Sequence, residues 1–470
     1  MKSQLSQQAG TCAVRRSGWR PNVRRARLLP CLAVVMAIAA LGQMSPAWSL
    51  PAFARETGVP CAVCHTLAFG PALTAYGRNF KLHGYTLGTQ KTIPLSADLI
   101  ASFTHTAENQ PPAQHFSAND NVALDDVNGY FAGRISEHVG AFAQVTYDGI
   151  ARHTSWGVLD ARWARDFTFG KTDTLFGVSV NNFPTVQDPW NSTYAWGFPF
   201  PVARLANAPA AAPQINGFFA MQSLGVTAYT LIDNVLYLEA GGYRKLSDKW
   251  QSNLGVNDPS AEHGIDGTAP YWRAALQRSS GPHYASLGIL GFSPHVQLGE
   301  HSAVGTDNYT DYGYDATYQF SNGGAHSFNA YLSYIHEHQR LFGTTAVGGS
   351  SSVDNHLNTL NISGQYAYRQ TYSLTLAYFN TSGSSNPALY APGEWFGSAN
   401  GIPDSRGYNI QLECIPFGKA DSYAKPLLNL RVGLQFTGYW RFNGGNTNYD
   451  GFGHSASDNN TLFIYVWTAI

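Results

Sequence analysis

From about residue 92 to the C-terminus, polar and apolar residues exchange places at every position through segments of about ten residues. This is the period of a strand with two unlike faces. In 428–437, Leu428, Leu430, Val432, Leu434 and Phe436 share one face, and Asn429, Arg431, Gly433, Gln435 and Thr437 the other. In 311–320, Tyr312, Tyr314, Ala316, Tyr318 and Phe320 oppose Asp311, Gly313, Asp315, Thr317 and Gln319. About sixteen such segments are predicted. They begin near 93, 122, 139, 156, 174, 215, 235, 270, 283, 308, 326, 356, 372, 405, 428 and 459. The connections alternate as well. Turns near 136–138, 168–173, 232–234, 279–282, 321–325 and 369–371 are short, and the intervening loops are long and rich in Asn, Ser, Gly and Pro. Only 416–427 is longer than its class predicts.

A soluble sandwich also alternates, but it turns its apolar face inward. Here charged residues make up 13% of the chain and aromatic residues another 13%, and tyrosine-rich apolar rows face polar partner rows. That suits lipid outside and water inside. The fold class expected is all-β: a transmembrane antiparallel β-barrel of about sixteen strands. The longest loop, 183–214, carries Pro184, Asp188, Pro189, Trp190, Trp196 and Pro199. It either folds inward to constrict the lumen or packs on itself at the surface. The last strand ends Tyr465-Val466-Trp467-Thr468-Ala469-Ile470, with its aromatic residue three positions before the end. Cys414 follows Ile410 and Leu412 on the lipid face. His336 and His338 resemble a metal cluster with Glu337, but alternation puts Glu337 on the opposite face, so a rim position at the membrane interface is expected.

The front of the chain is different. Residues 1–49 read as an export signal: Lys2, Arg15, Arg16, Arg20, Arg24, Arg25 and Arg27 precede an apolar run from Leu28 to Leu41, and Ala47-Trp48-Ser49 resembles a cleavage site. The run is shorter than the ~18 apolar residues of a membrane span. Without this segment, which holds seven of the 29 basic and none of the 30 acidic residues, the chain carries 22 basic residues against 30 acidic. Such a balance argues against nucleic acid and suits cations. Three cysteines remain, Cys61, Cys64 and Cys414.

Between the signal and the barrel (92–470) lies a segment, 50–91, with chemistry of its own. Cys61-Ala62-Val63-Cys64-His65 is the c-type haem attachment signature. Two thiols at this spacing reach the two vinyl groups on one edge of a haem, and the histidine lies beneath the iron as proximal ligand. The plainer readings are a Cys61–Cys64 disulfide, half of a zinc site, or a thioredoxin-like redox pair. Zinc lacks nearby partner ligands, and no βαβ pattern surrounds the pair, so one covalent haem c fits best. A helix is predicted from Pro71 to about His83, ended by Gly84. Leu73, Tyr76, Phe80 and His83 share one of its faces, and Lys81 and Arg78 lie off it, in reach of haem propionates. His83 is the candidate sixth ligand. The alternative makes the stripe ordinary core, with His83 only favouring the negative helix end. Met221, the one methionine of the barrel region, falls inside a strand pattern, so bis-His ligation or an open site is expected over His/Met. About forty residues cannot bury a macrocycle and build their own core. The segment is therefore expected to be a short helical plug in the barrel lumen or at its periplasmic mouth.

The run Pro51-Ala52-Phe53-Ala54-Arg55, the Cys61–His65 motif, Tyr76-Gly77-Arg78 and Phe80-Lys81-Leu82-His83-Gly84-Tyr85, followed by the barrel, resembles the fused monohaem cytochrome–porin family. That family includes outer-membrane ferrous-iron oxidases of iron-oxidising bacteria. The resemblance implies an outer-membrane protein that takes up electrons from an extracellular donor, with Fe(II) the candidate. A periplasmic electron carrier, a c-type cytochrome or a copper protein, would be the acceptor. Cys61, Cys64 and His65 carry over from the family motif. Two other readings remain: a solute porin whose haem plug is structural or gating, and a haem-based sensor with an open sixth position.

Overall fold

In a computed structural model, residues 52–67, 70–88, 94–193, 199–256, 264–298, 304–419, 422 and 428–470 are described. The predicted export signal lies outside them. Alternation along the chain becomes a closed wall. Its strands are β1 (Leu95–Thr106), β2 (Asn121–Arg134), β3 (Val139–Asp148), β4 (His153–Phe169), β5 (Thr172–Asn181), β6 (Ser223–Ile232), β7 (Leu236–Lys245), β8 (Gly264–Ile265) and β9 (Ala269–Ser280). They continue with β10 (His283–Phe292), β11 (His295–Gln297), β12 (Thr306–Asn322), β13 (His326–Arg340), β14 (Asp354–Tyr368), β15 (Tyr372–Gly383), β16 (Ser405–Cys414), β17 (Asn429–Arg441) and β18 (Thr461–Ala469). The short β8 and β11 pair with each other and extend β9 and β10 at one end. The sixteen longer strands pair antiparallel with their neighbours in sequence, and β1 pairs with both β2 and β18, which closes the barrel. No helix among the described residues is long and apolar enough to cross a membrane, and crossing falls to the strands.

The two faces lie as the alternation requires. On β17, Val432 and Leu434 are exposed outward, while Asn429, Arg431 and Gln435 are buried inside. On β12, Tyr312, Tyr314 and Tyr318 face out, and Asp311, Asp315, Thr317 and Gln319 face in. An apolar outer row on a closed antiparallel barrel is the surface of an outer-membrane protein, because every backbone polar group is paired within the wall. His336 faces out beside Asn358, its Nδ1 2.8 Å from Asn358 Oδ1. Glu337 is fully buried on the other face, so the pair of histidines and the glutamate form no common site. Trp467 faces inward too and packs edge-on against Phe200.

The short turns and both ends of the barrel segment lie at one end, where Ala97 and Ile470 exchange backbone hydrogen bonds of 2.8 Å; this is the periplasmic end. Two features depart from the predicted pattern. β6 starts at Ser223 rather than near 215, because 215–222 is a series of turns in which Ile215 and Phe219 are buried in a lumen cluster. Met221 therefore sits in a turn with φ of 62°, not inside a strand. Just after β16, Gly418 O accepts Ala62 N at 3.2 Å, so the start of the long connection to β17 meets the N-terminal segment.

The described residues of the 183–214 loop fold inward. Asp188 is fully buried and pairs with Arg273 of β9 at 3.4 Å, and Arg273 also makes two bonds to Asp315 of β12 at 2.8 and 2.9 Å. Farther along, Gln435 Nε2 donates to Pro201 O at 3.0 Å. Gln214 N and Ile215 N donate to Glu337 and Asp311 at 2.6 and 2.9 Å.

Replacing Leu434, mid-strand on the lipid face, by lysine is expected to cost about 2–4 kcal/mol. Reversible unfolding from lipid bilayers measures it, and a cost below ~1 kcal/mol would contradict the assigned faces.

Candidate functional site

Among the described residues, three short helices precede the barrel: α1 (Ala52–Thr57), α2 (Cys61–Cys64) and α3 (Ala75–Leu82). The predicted helix began at Pro71, yet α3 begins four residues later. Thr74 is its N-cap, accepting Gly77 N at 3.2 Å, the usual role of a threonine at that position. The same hydroxyl donates to Val63 O at 2.5 Å, and Thr74 N donates to Cys64 O at 2.9 Å. One cap thus ties α3 to the cysteine motif. Residues 71–73 run back beside the motif, with Leu73 bridged to His65. Gly77 permits the approach: a Cβ there would lie 2.2 Å from Cys64 O.

Cys61, Cys64 and His65 open together onto one cavity. It holds about 1230 Å³ of atom-free space including its mouth, and its walls include Phe53, Leu73, Phe80, Tyr85, Tyr130, Phe142 and Trp467. The aromatic residues pack on one another from plug to wall. Phe53 meets Phe80 edge-on at 5.0 Å and stacks on Tyr85 at 5.2 Å, and Phe142 lies 5.4 Å from Tyr130. Polar groups are few. Asn429 of β17 donates Nδ2 to Cys61 Sγ at 3.3 Å. Lys81 Nζ donates to Val186 O at 2.6 Å and Asp188 O at 3.0 Å. Burial, with Arg162 nearby, holds that amine down to about 7.

The chemistry of the donor set separates the plain readings from the haem reading. Burial pushes both thiols up, Cys64 to about 12, whereas a redox-active pair needs a stabilised thiolate. No group of three His, Cys, Asp or Glu side chains suited to a metal ion occurs among the described residues, which leaves a zinc site short of ligands. His65 Nδ1 is buried without a hydrogen-bond partner. Burial holds the His65 imidazole at about 4, so it is neutral near pH 7, the form that binds iron. Two thiols, a neutral imidazole and an aromatic-walled cavity fit a covalently attached haem.

His83 does not join them. As the C-cap of α3 it directs Nδ1 to Asn79 O at 2.8 Å and Nε2 toward Asp166 Oδ1 at 3.3 Å, and it is not among the cavity-lining residues. Within α3, Gly77, Phe80 and Lys81 face the cavity, and Leu73, ahead of the helix, lines it too. Of the two cations assigned to propionates, Lys81 lines the cavity. Arg78 points elsewhere, with its guanidinium 3.7 Å from the Tyr284 ring centroid and bonded to Gln319 at 3.0 Å. The wall residues Asp98, Tyr130, Ala132, Phe142, Asn429 and Trp467, with Val186 and Asn191 of the inward loop, join the lining. Their inward alternation was the one available signal; nothing local marks which inward residues meet the plug.

The wall grips the plug through charged and aromatic side chains. Arg162 of β4, fully buried, pairs with Asp160 at 2.8 Å and donates to Lys81 O at 3.2 Å and Gln187 O at 3.0 Å. Tyr85 donates to Asp160 and Tyr229 to Leu82 O, both at 2.6 Å. Gly84, at φ of +65°, sits where a side chain would meet the Arg162 backbone.

No family model and no curated relative matches the chain. Among solved structures it is similar to an anion-selective porin from Comamonas acidovorans, at 13% identity and a TM-score of 0.42, covering 80% of this chain and 98% of that one. It is also similar to the outer membrane channel DcaP of Acinetobacter baumannii (12%, 0.43, 80% and 96%). A third is in-vitro folded OmpT of Vibrio cholerae (8%, 0.41, 80% and 96%). The likeness is one of barrel course, and nothing about cargo passes with it.

Two substitutions test the site. His83→Ala is expected to leave the visible spectrum of the haem-loaded protein unchanged; a loss of its low-spin bands would restore His83 as ligand. Gly77→Ala is expected to leave covalent haem stain intact while making the α2–α3 segment sensitive to protease, and unaltered protection would contradict the tight approach.

Proposed function

We propose that this outer-membrane barrel is a monohaem c-type cytochrome–porin that passes electrons from an extracellular donor, with Fe(II) the candidate, to a periplasmic cytochrome or copper protein. The observation that carries the reading is the convergence of Cys61, Cys64 and His65 on one aromatic-walled cavity at the periplasmic end. A bound haem c supplies reversible one-electron chemistry. The chain's residues do the rest. Cys61 and Cys64 would anchor the group, and His65 would hold its iron. Phe53, Phe80, Tyr85 and Phe142 keep water away, and Lys81, donating to Val186 O and Asp188 O, ties the cavity's edge to the inward loop. Periplasmic connections flank the motif, with Gln370 Nε2 donating to Ala62 O at 3.2 Å and Gly418 O accepting Ala62 N. An acceptor in the periplasm would meet this end first.

The occupied lumen favours a conduit over a solute porin. The plug and the inward loop fill the space between Arg162, Arg273 and Arg431, each fully or almost fully buried. The ferrous donor itself rests on the resemblance to the cytochrome–porin family and on the acidic balance of the mature chain.

Spectroelectrochemistry of the purified protein in nanodiscs, titrated with Fe(II), tests the proposal. Covalent haem visible by peroxidase stain after denaturing electrophoresis, and growth of the reduced α-band on adding Fe(II), are expected. Colourless protein would overturn the reading, as would open-channel conductance unaltered by Cys61→Ser.

A further inference from the structure

The helix α3 separates two spaces. Gly77, Phe80 and Lys81 face the cysteine–histidine cavity, whereas Tyr76, Arg78 and Asn79 line a second pocket behind the helix. That pocket holds about 710 Å³ of atom-free space including its mouth, and its far wall includes Gln277 and Ser279 of β9 and Tyr284 of β10. Asn234 and Ser279, both exposed, stand at its rim beside two of the short turns, so it opens at the periplasmic end. Arg78 is 3% exposed. Its guanidinium donates to two neutral acceptors, Leu73 O at 2.7 Å and Gln319 Oε1 at 3.0 Å, and stacks over the Tyr284 ring. Its Nε meets no acceptor in hydrogen-bonding geometry. The Tyr284 hydroxyl is also close to Arg78, but it already donates to Gln277 at 2.8 Å and accepts Trp190 Nε1 at 2.6 Å. Among the described residues no carboxylate pairs with Arg78; Asp188, whose charge it feels, is held by Arg273 at 3.4 Å. Arg162, Arg273 and Arg431, by contrast, each meet a carboxylate directly.

We propose that the pocket behind α3 binds a small oxyanion, a carboxylate or a phosphate, from the periplasm, with Arg78 as its cation. A buried charge that no opposite charge touches is costly, and burial pulls the Arg78 guanidinium below its ordinary value. An oxyanion in the pocket offsets that cost. The planar fork of a guanidinium fits carboxylate and phosphate oxygens, which a spherical halide does not match. Further donors stand beside it: among the described residues, the side chains of Tyr76, Asn79 and Ser279 make no hydrogen bond and are only partly buried or exposed. The place of the pocket gives it a consequence. It lies one helix, about 10 Å, from the cavity assigned to haem. An anion at Arg78 offsets a positive charge beside that cavity and so favours the oxidised state of an iron held there. This coupling rests on the proposed function; the anion site does not.

Inorganic phosphate and acetate are the probes, titrated by calorimetry into the intact purified protein in detergent and chloride buffer. One anion bound per chain is expected, and the tighter probe decides between phosphate and carboxylate. Affinity is expected to fall about ten-fold or more in Arg78→Gln, the loss of a charged hydrogen-bonding partner. Ser279→Glu, at the exposed end of β9, sets a competing carboxylate at the rim and is expected to weaken binding as much. Heat-modifiable electrophoretic mobility checks that each variant is a folded barrel, and Ser279→Glu serves if Arg78→Gln fails to fold. Absence of binding of both probes to the wild-type chain overturns the site, as does unchanged affinity in the folded variants. Binding confined to haem-free Cys61→Ser would give Arg78 to an acidic edge of the haem and overturns it too. A lower haem midpoint potential in saturating phosphate, absent in Arg78→Gln, tests the coupling. Colourless protein would sink the proposed function and leave the calorimetric result standing.

Discussion

A closed wall that turns a row of charged and polar side chains inward has to satisfy them from within, and this constraint organises the molecule. Arg162, Arg273 and Arg431 are each in a space that water does not reach freely. Each is held by a carboxylate: Asp160, Asp188 with Asp315, and Glu413. Removing one partner of such a pair costs about 3–5 kcal/mol, because the other charge is left bare. The wall by itself cannot supply all the acceptors. Arg162 completes its set with two backbone carbonyls, one from the plug and one from the inward loop. Lys81 does the reverse, donating from the plug to two carbonyls of the loop. Wall, plug and loop therefore complete one another's hydrogen bonds inside the barrel.

That arrangement answers the difficulty of the small N-terminal segment. Its described helices are too short to enclose a large flat group, so part of the enclosure comes from β1, β2, β3, β17 and β18 and from the loop. Phe53 shows how the halves meet: it packs on Phe80 and Tyr85 of its own segment and on Phe142 of β3. Each aromatic pair adds about 0.5–1.5 kcal/mol beyond burial, and together they join segment and barrel in one apolar seam. Gly77 lets backbone pass where a side chain would collide with Cys64, and Gly84 takes a left-handed turn close against Arg162. Gly418, in the connection between β16 and β17, accepts Ala62 N and adds a further tie to the segment.

Much of this was legible in the alternation. Fifteen of the sixteen predicted strand starts fall within three residues of those observed, because a one-residue slip would turn Arg431 to lipid and Leu434 to the lumen. The exception is instructive. Ile215 and Phe219 lie in a segment that looks like the start of a strand, yet they pack into a lumen cluster as part of the inward loop. Periodicity cannot distinguish apolar residues that face lipid from those that face a filled lumen. The helix starts later than its sequence predicts for a related reason. Pro71 and Thr74 are both good openings, and only the bonds from Thr74 to Val63 and Cys64 decide between them.

By itself, the chain's order of residues determined the barrel, the strand count, the two faces of each strand and the three-residue core of the candidate site. These depend on period and spacing, which are local. Tertiary structure alone decided that the 183–214 loop lies inside, that Lys81 rather than Arg78 faces the cavity, and that His83 turns to Asp166. It also decided which wall residues join the site, since Asn429 and Trp467 meet Cys61 and its cavity across more than 360 positions of chain. Such choices are settled by which buried polar groups find partners once the wall has closed, and no stretch of chain read alone contains that competition.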